Sequence, residues 1–417
     1  MKSSKIKCVS FLIAMLLSCS SAMLNRYTHY NQPGGPATLQ SSFHIGGGRD
    51  GDRTLFLLAL SGGGSRAAVF ASEVMLRLDS QKENTAAATG RSGGDLLRRV
   101  DAISSVSGGS LAGAYYAVSR DSGGQPPAET AHGRSYALRP QWSPEEVRLR
   151  MGANYINPWL CSWVSPENIC LYYSTGYDRS DIMARVFGDR LFDSDYLGID
   201  YNLDDLNPER PHLILNATNG TRHVDAPLAM GEECRDWLTP ANQFKSVFTF
   251  TTEDFHCVLG SDPSDFPLAQ AVMASATFPG AFHYRTLRNY RVNGVAERYV
   301  HVFDGGVADN LGLSSLQRLI ELNFEKGGFE RIAIILVDAS KNTSGVSSET
   351  NDPREWPLGH LVMDGSLSDS IDGLFLRVDA ENLGQFCSFL EQSHGNRSVF
   401  LHLNFQALQN DPELYQK

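Results

Sequence analysis

Several signatures are missing from this 417-residue sequence. It has no C-x-x-C, no H-E-x-x-H and no EF-hand spacing, so neither a metal nor a metal-dependent cofactor has support. Cations are scarce: Lys and Arg number 36 against 47 Asp and Glu, a net charge of -11. Nucleic acid is excluded as a partner, because neutralising phosphates needs a basic face. The same deficit excludes docking on anionic lipid headgroups by charge alone, so any lipid-facing role rests on apolar contact. No internal repeat is present, and no interior linker divides the chain.

A long apolar run is also missing. The N-terminal "VSFLIAMLL", behind Lys2, Lys5 and Lys7, is too short to span a bilayer. It has the layout of a cleaved secretory signal over residues 1–18. Leu16-Leu17-Ser18-Cys19 resembles the lipobox of bacterial lipoproteins, in which the Cys becomes the lipidated mature N-terminus. Ser20-Ser21-Ala22 offers an ordinary cleavage site instead. Both readings export the protein, either as a lipid-anchored member of the bacterial envelope, with the outer membrane favoured, or as a secreted one. Cys161 and Cys170, in "WLCSWVSPENIC", would then be able to pair in an oxidising compartment; thiols fit them equally well.

Residues 19–52 are polar and glycine-rich and read as a flexible tether. From Arg53 to residue 417, β-like and helix-like segments alternate as one catalytic domain. "TLFLLAL" is a continuous apolar run, as in a strand buried on both faces. "AAVFASEVMLRL" follows with helical spacing. "VDAISSVS" then leads into the helical "GGSLAGAYYAVS", and five further strand candidates end with "SVFLHLNF". Such alternation implies an α/β fold with a mostly parallel central sheet.

Three strand-to-loop junctions carry chemistry. In "SSVSGGS", Ser107 is the serine flanked by small residues two positions away, as a sharp strand-to-helix turn requires. Alone, this fits a helix cap as well as a nucleophile. In "LSGGGSRAAVF", Gly62, Gly63 and Gly64 can turn several backbone N–H groups toward one anion. No phosphate-loop lysine follows, and Arg66 is placed to fix the loop; a close strand–helix crossing would need the same glycines. In "VFDGGVADNLGL", Asp304 ends a strand with Gly305 and Gly306 clearing the space before it. Asp309 and Asn310 read as turn or capping residues.

With these three junctions together, the sequence resembles the patatin-like phospholipases. The likeness is carried by Gly62-Gly63-Gly64-Ser65-Arg66, by Ser107, by Asp304-Gly305-Gly306, and by "ASATFPGAFHY" at residues 274–284. It departs at Ser105, where the family has glycine, and at Ala67, where glycine is common. The resemblance implies a three-layer α/β/α fold and a cofactor-free Ser107–Asp304 dyad. It also implies an oxyanion hole at Gly62–Gly64, and lipid or phospholipid substrates met at a membrane surface. Phospholipase A or lysophospholipase action is the expectation.

Two rivals stand beside it. A Ser-His-Asp esterase would draw its base from His360, His394 or His402, with His394 in the most loop-like setting. A non-catalytic lipoprotein would bind lipid or a partner. Trp159 and Trp163 fit either an acyl groove or bilayer contact, or a cap on the core.

Overall fold

The computed structural model describes residues 31–34, 43, 45, 53–80, 96–121, 139–193, 200–221, 234, 246–291, 299–324, 328–340 and 365–405. The signal segment, Cys19, His360 and most of the two polar insertions after Ser80 and Asp121 lie outside them.

One mixed eight-stranded sheet organises the chain. Its strands are β1 (Thr54–Leu60), β2 (Ala102–Val106), β3 (His212–Asn219), β4 (Val247–Thr249), β5 (Arg285–Arg288), β6 (Tyr299–Asp304), β7 (Arg331–Asp338) and β8 (Ser398–Asn404). The order is β8-β7-β1-β2-β3-β6-β5, with β4 also on β3. Strands β8, β7, β1, β2 and β3 are mutually parallel, while β4, β5 and β6 join antiparallel. The sheet is thus mostly parallel, with one antiparallel flank.

Alternation along the buried strands sends successive side chains to opposite faces. Leu58, Leu60, Ile103 and Val337 enter one core with helices α1 (Gly64–Ser80) and α2 (Gly108–Val118). The same core takes in α3 (Pro144–Met151), Trp159 of α4 (Ile156–Trp163), Leu171 of α5 (Pro166–Ser174), α6 (Arg179–Leu191) and α7 (Leu268–Ser275). Leu55, Leu57, Ala59, Ala102 and Ile334 enter a second core with α8 (Leu313–Asn323) and α9 (Gly365–Ser393). Helices therefore cover both faces of the sheet, the three-layer arrangement that the continuous apolar strand runs imply.

The structure refines the reading of the tether and decides between the two alternatives left open for Cys161 and Cys170. The segment read as a tether is docked in part: Gln32–Pro33 pairs with Ser261–Asp262, and Phe43 and Ile45 are buried in the second core. The Ile45 N–H donates to Asn323 Oδ1 at 2.8 Å. Two apolar anchors suffice to hold a segment whose average composition is that of a linker, since each buried side chain contributes about 2 kcal/mol. Among the described residues a disulfide joins Cys234 and Cys257, while Cys161 and Cys170 are thiols. Cys161 is exposed on α4 and Cys170 is half-buried on α5.

Candidate active site

Register brings the serine and the acid together. Val106 pairs with Asn216 on β3, and Asp304 pairs with the next residue, Ala217, from the other side. Ser107, one step past Val106, therefore faces Asp304 across the end of β3. Its Oγ donates to Asp304 Oδ2 at 2.8 Å.

Ser107 itself is held out of ordinary backbone space, at φ 49° and ψ -118°. A non-glycine residue at positive φ is costly and persists only where its surroundings enforce it. Here the enforcers are visible. The Ser107 N–H donates to Ser275 Oγ at 3.0 Å, and Ser275 Oγ donates to Asn216 O at 2.6 Å. Ser110 Oγ lies 2.9 Å from the same Ser275 oxygen. Behind the turn, a Cβ on Gly108 would collide with the Gly64 carbonyl, and one on Gly109 would stand 2.6 Å from Ser61 O. Glycine is required at both positions by backbone contact. Ser105, the departure from the family pattern, is wholly buried and fits because Gly113 stands opposite it.

Asp304 is buried, and loss of hydration pushes its carboxyl up to about 6. Hydrogen bonds from the Gly306 N–H to Oδ1, at 2.8 Å, and from Ser107 pull the other way without cancelling the burial. The result is a carboxylate that is ionised at neutral pH yet more basic than a solvated one.

The glycine loop crosses in front of this pair. Gly63 and Gly64 have φ of 134° and 62°, and Gly64 touches Gly108, the residue after Ser107. Their N–H groups open α1, where no intrahelical acceptor exists. Gly62 differs from its two neighbours: its N–H is already donated to Asn310 O at 2.9 Å. That amide is therefore spent on holding the loop, which narrows the expected three-residue nest to Gly63 and Gly64. Arg66 does fix the loop, its Nε donating to Ala339 O at 2.9 Å.

Among the described residues no histidine bonds to Ser107 or Asp304. His394 packs on the rings of Phe324 and Phe389, and His402 Nε2 lies 2.9 Å from Asp338 Oδ2. Trp159 is buried and stacks on Trp163, so it caps the core. Asp309 acts as a capping residue, its Oδ2 accepting the Ser314 N–H at 2.6 Å.

Sequence reading missed Ser275, Asn216, Ser110 and the tertiary role of Asn310. Ser275 lay within a segment already singled out, but nothing in the spacing says that its hydroxyl reaches the amide of a serine 168 residues away.

Residues 58–316 match the family model of the patatin-like phospholipases. That span is well over half of the chain, and the chain belongs to this family of lipid acyl hydrolases. No curated protein matches the sequence. Among solved structures, VipD from Legionella pneumophila is similar at 11% identity and a TM-score of 0.27. The match covers 84% of this chain and 61% of VipD, so this chain spans under two thirds of that protein.

Proposed function

We propose that this protein hydrolyses acyl esters of lipids, with Ser107 as nucleophile and Asp304 as its base. The observation carrying this is the 2.8 Å hydrogen bond between two buried, chemically complementary groups at the end of the sheet. Ser107 Oγ attacks the acyl carbonyl carbon while its proton passes to Asp304 Oδ2. The resulting oxyanion is held by the Gly63 and Gly64 N–H groups, each well-placed donor contributing roughly 3–4 kcal/mol. Collapse expels the alcohol, which leaves with the proton from Asp304. Water then gives a proton to Asp304 and attacks the acyl-enzyme; the fatty acid departs and Ser107 regains its hydrogen.

Ser107→Ala and Asp304→Asn should each abolish ester hydrolysis in protein that remains folded. Near-normal turnover by either variant overturns the assignment. Labelling of Ser107 by a fluorophosphonate separates an enzyme from a lipid-binding relative, since only an activated serine reacts. The family and the apolar surface described next support phospholipase A or lysophospholipase action, to be resolved by profiling fatty acids released from a mixed-lipid panel.

Substrate would be met at a lipid surface through α4 and α5. Val164, between these helices, is 70% exposed and Tyr173 is 84% exposed, with Ile156 and Ile169 also in solvent. Residues 152–177 carry a single charged side chain, Glu167. An apolar, nearly uncharged face suits zwitterionic or neutral lipid and not an anionic one. It adjoins the site's supports: Trp159 packs on Phe282, a few residues past Ser275. Replacing both Val164 and Tyr173 with glutamate should weaken pelleting with phosphatidylcholine vesicles while sparing hydrolysis of a soluble short-chain ester. Unchanged pelleting rejects this face.

Export is proposed on the leader-like N-terminus, with Cys19 as lipid acceptor, and is supported by the Cys234–Cys257 disulfide, which belongs to an oxidising compartment. Labelling with a radioactive fatty acid, lost in Cys19→Ala, tests the anchor.

A further inference from the structure

We propose that Asp379, on α9 and outside the residues matched by the family model, is a positioning residue that sets the geometry of the glycine loop. The inference rests on the reading above, in which Gly63 and Gly64 hold the oxyanion.

The loop has two anchors, and the Asp379 carboxyl reaches both. On one side, Asn310 accepts the Gly62 N–H on its backbone carbonyl, and its side-chain oxygen fills the space where a Gly62 Cβ would stand. Asn310 Nδ2 in turn donates to Asp379 Oδ2 at 2.9 Å. On the other side, Ala339 accepts Arg66 Nε at 2.9 Å and donates its N–H to Ser61 Oγ at 2.8 Å. The next residue, Ser340, donates its hydroxyl to Asp338 Oδ1 at 2.5 Å, and the same Ser340 oxygen stands 3.4 Å from Asp379 Oδ2. A single carboxyl oxygen thereby bonds one of the two points from which residues 61 to 66 are suspended and stands against the other. One turn earlier on α9, Phe375 packs against Gly306 and the ring of Phe278, so the helix also backs the Asp304 side of the site.

An acid is an expensive residue for this place. Asp379 is buried, its Oδ1 has no hydrogen-bond partner among the described residues, and Asp338 and Asp309 stand nearby as like charges. Burial pushes its carboxyl up to about 7. Stability alone would be better served by an uncharged residue, since an unpartnered buried carboxyl oxygen carries a desolvation cost. What the acid supplies is a short, rigid acceptor at the junction of the two anchors. Sub-ångström placement of N–H donors is what oxyanion stabilisation depends on.

The test compares three variants in the full chain on a soluble p-nitrophenyl ester, with turnover normalised to the fraction of Ser107 labelled by fluorophosphonate. Asp379→Leu keeps the volume and removes the acceptor; kcat should fall roughly tenfold or more with KM nearly unchanged, the signature of a contact felt in the transition state. Asp379→Asn retains a carbonyl oxygen and should recover kcat to within roughly threefold. If Asp379→Leu does not fold, Asp379→Ser, too short to reach Asn310, takes its place with the same expectation. Wild-type kcat per labelled site in the Leu or Ser variant, or equal loss in Asp379→Asn, overturns the proposal. Ser107→Ala run alongside separates the two readings: if it is inactive while Asp379→Leu is normal, only the role of Asp379 fails; if it is active, the dyad itself fails.

Discussion

Asn216 and Ser275 form the support beneath the site: the Asn216 carbonyl accepts the Ser275 hydroxyl at 2.6 Å, and Ser275 in turn accepts the Ser107 N–H at 3.0 Å. The β3 backbone thus reaches the strained turn through one side chain. Ser275→Ala removes this relay and leaves a buried N–H without its partner, a cost of about 1–3 kcal/mol. Part of that cost should surface as relaxation of Ser107 from its positive φ, so kcat is expected to fall along with the melting temperature. Cysteine at the same position, a weak donor and acceptor, should fall between alanine and wild type. A melting temperature equal to wild type in Ser275→Ala would show that the relay carries no strain.

Burial of Asp304 gives the activity a pH dependence with a definite sign. As the proposed base, Asp304 would work only when ionised, so kcat/KM should rise about tenfold per pH unit below pH 6 and level off above it. Stability runs in the opposite direction. A carboxyl with a folded value near 6 and an ordinary value of 3.8 binds its proton more tightly when folded. Its contribution is fully present below pH 3.8 and is lost as pH rises through 6. Asp304→Asn should therefore be inactive and, above pH 6, more stable than wild type, by at most roughly 3 kcal/mol before relaxation. Chemical denaturation at pH 4 and pH 8 checks it; a difference that shrinks toward pH 8 would contradict the assignment.

Two glycines in the site are constrained for different reasons, and alanine distinguishes them. Gly64 has φ 62° with open space around the position of a Cβ, so Gly64→Ala costs only the left-handed backbone penalty of about 1 kcal/mol. Gly108 abuts the Gly64 backbone, and Gly108→Ala must push the glycine loop away from Ser107. Fluorophosphonate labelling should persist in the first variant and be lost in the second, with both proteins soluble. Comparable labelling of the two would mean that the loop does not need its close approach.

How far the site could be read in advance depended on whether a signal was local. Ser107, Asp304 and the glycines sit at strand ends beside small residues, and turn geometry writes itself into neighbouring sequence. Seven of the eight strands were legible in the same way, as apolar or alternating runs, whereas Arg285–Arg288, with an arginine at each end, carries no such run. Other features lacked such a signal. The antiparallel direction of β6 depends on the path of the chain between β3 and β6. The spending of the Gly62 N–H on Asn310 is a contact across 248 residues, and Asp379 lies on a helix whose glycines and serines obscure its periodicity. The docking of Phe43 was hidden by averaging it with the glycines around it.

The Cys234–Cys257 bond closes a loop of 23 residues, and constraint of the unfolded chain by a loop of that size is worth about 3 kcal/mol. Cys257 lies between Phe255 and Leu259, both fully buried, so the cross-link is rooted in the body of the protein. Arg291 braces the same turn by donating to His256 O at 2.8 Å through Nε. Among the described residues no hydrogen bond joins either cysteine to Ser107 or Asp304. Cys234→Ser should accordingly lower the melting temperature by roughly 4 °C while leaving kcat at 25 °C near wild type. Reductant should lower the wild-type value by a similar amount and the Cys234→Ser value hardly at all. Cys161→Ser, altering an exposed thiol, serves as the control and should not shift either measurement. Loss of catalysis at 25 °C in folded Cys234→Ser would mean that the cross-link shapes the site and does not act through stability alone.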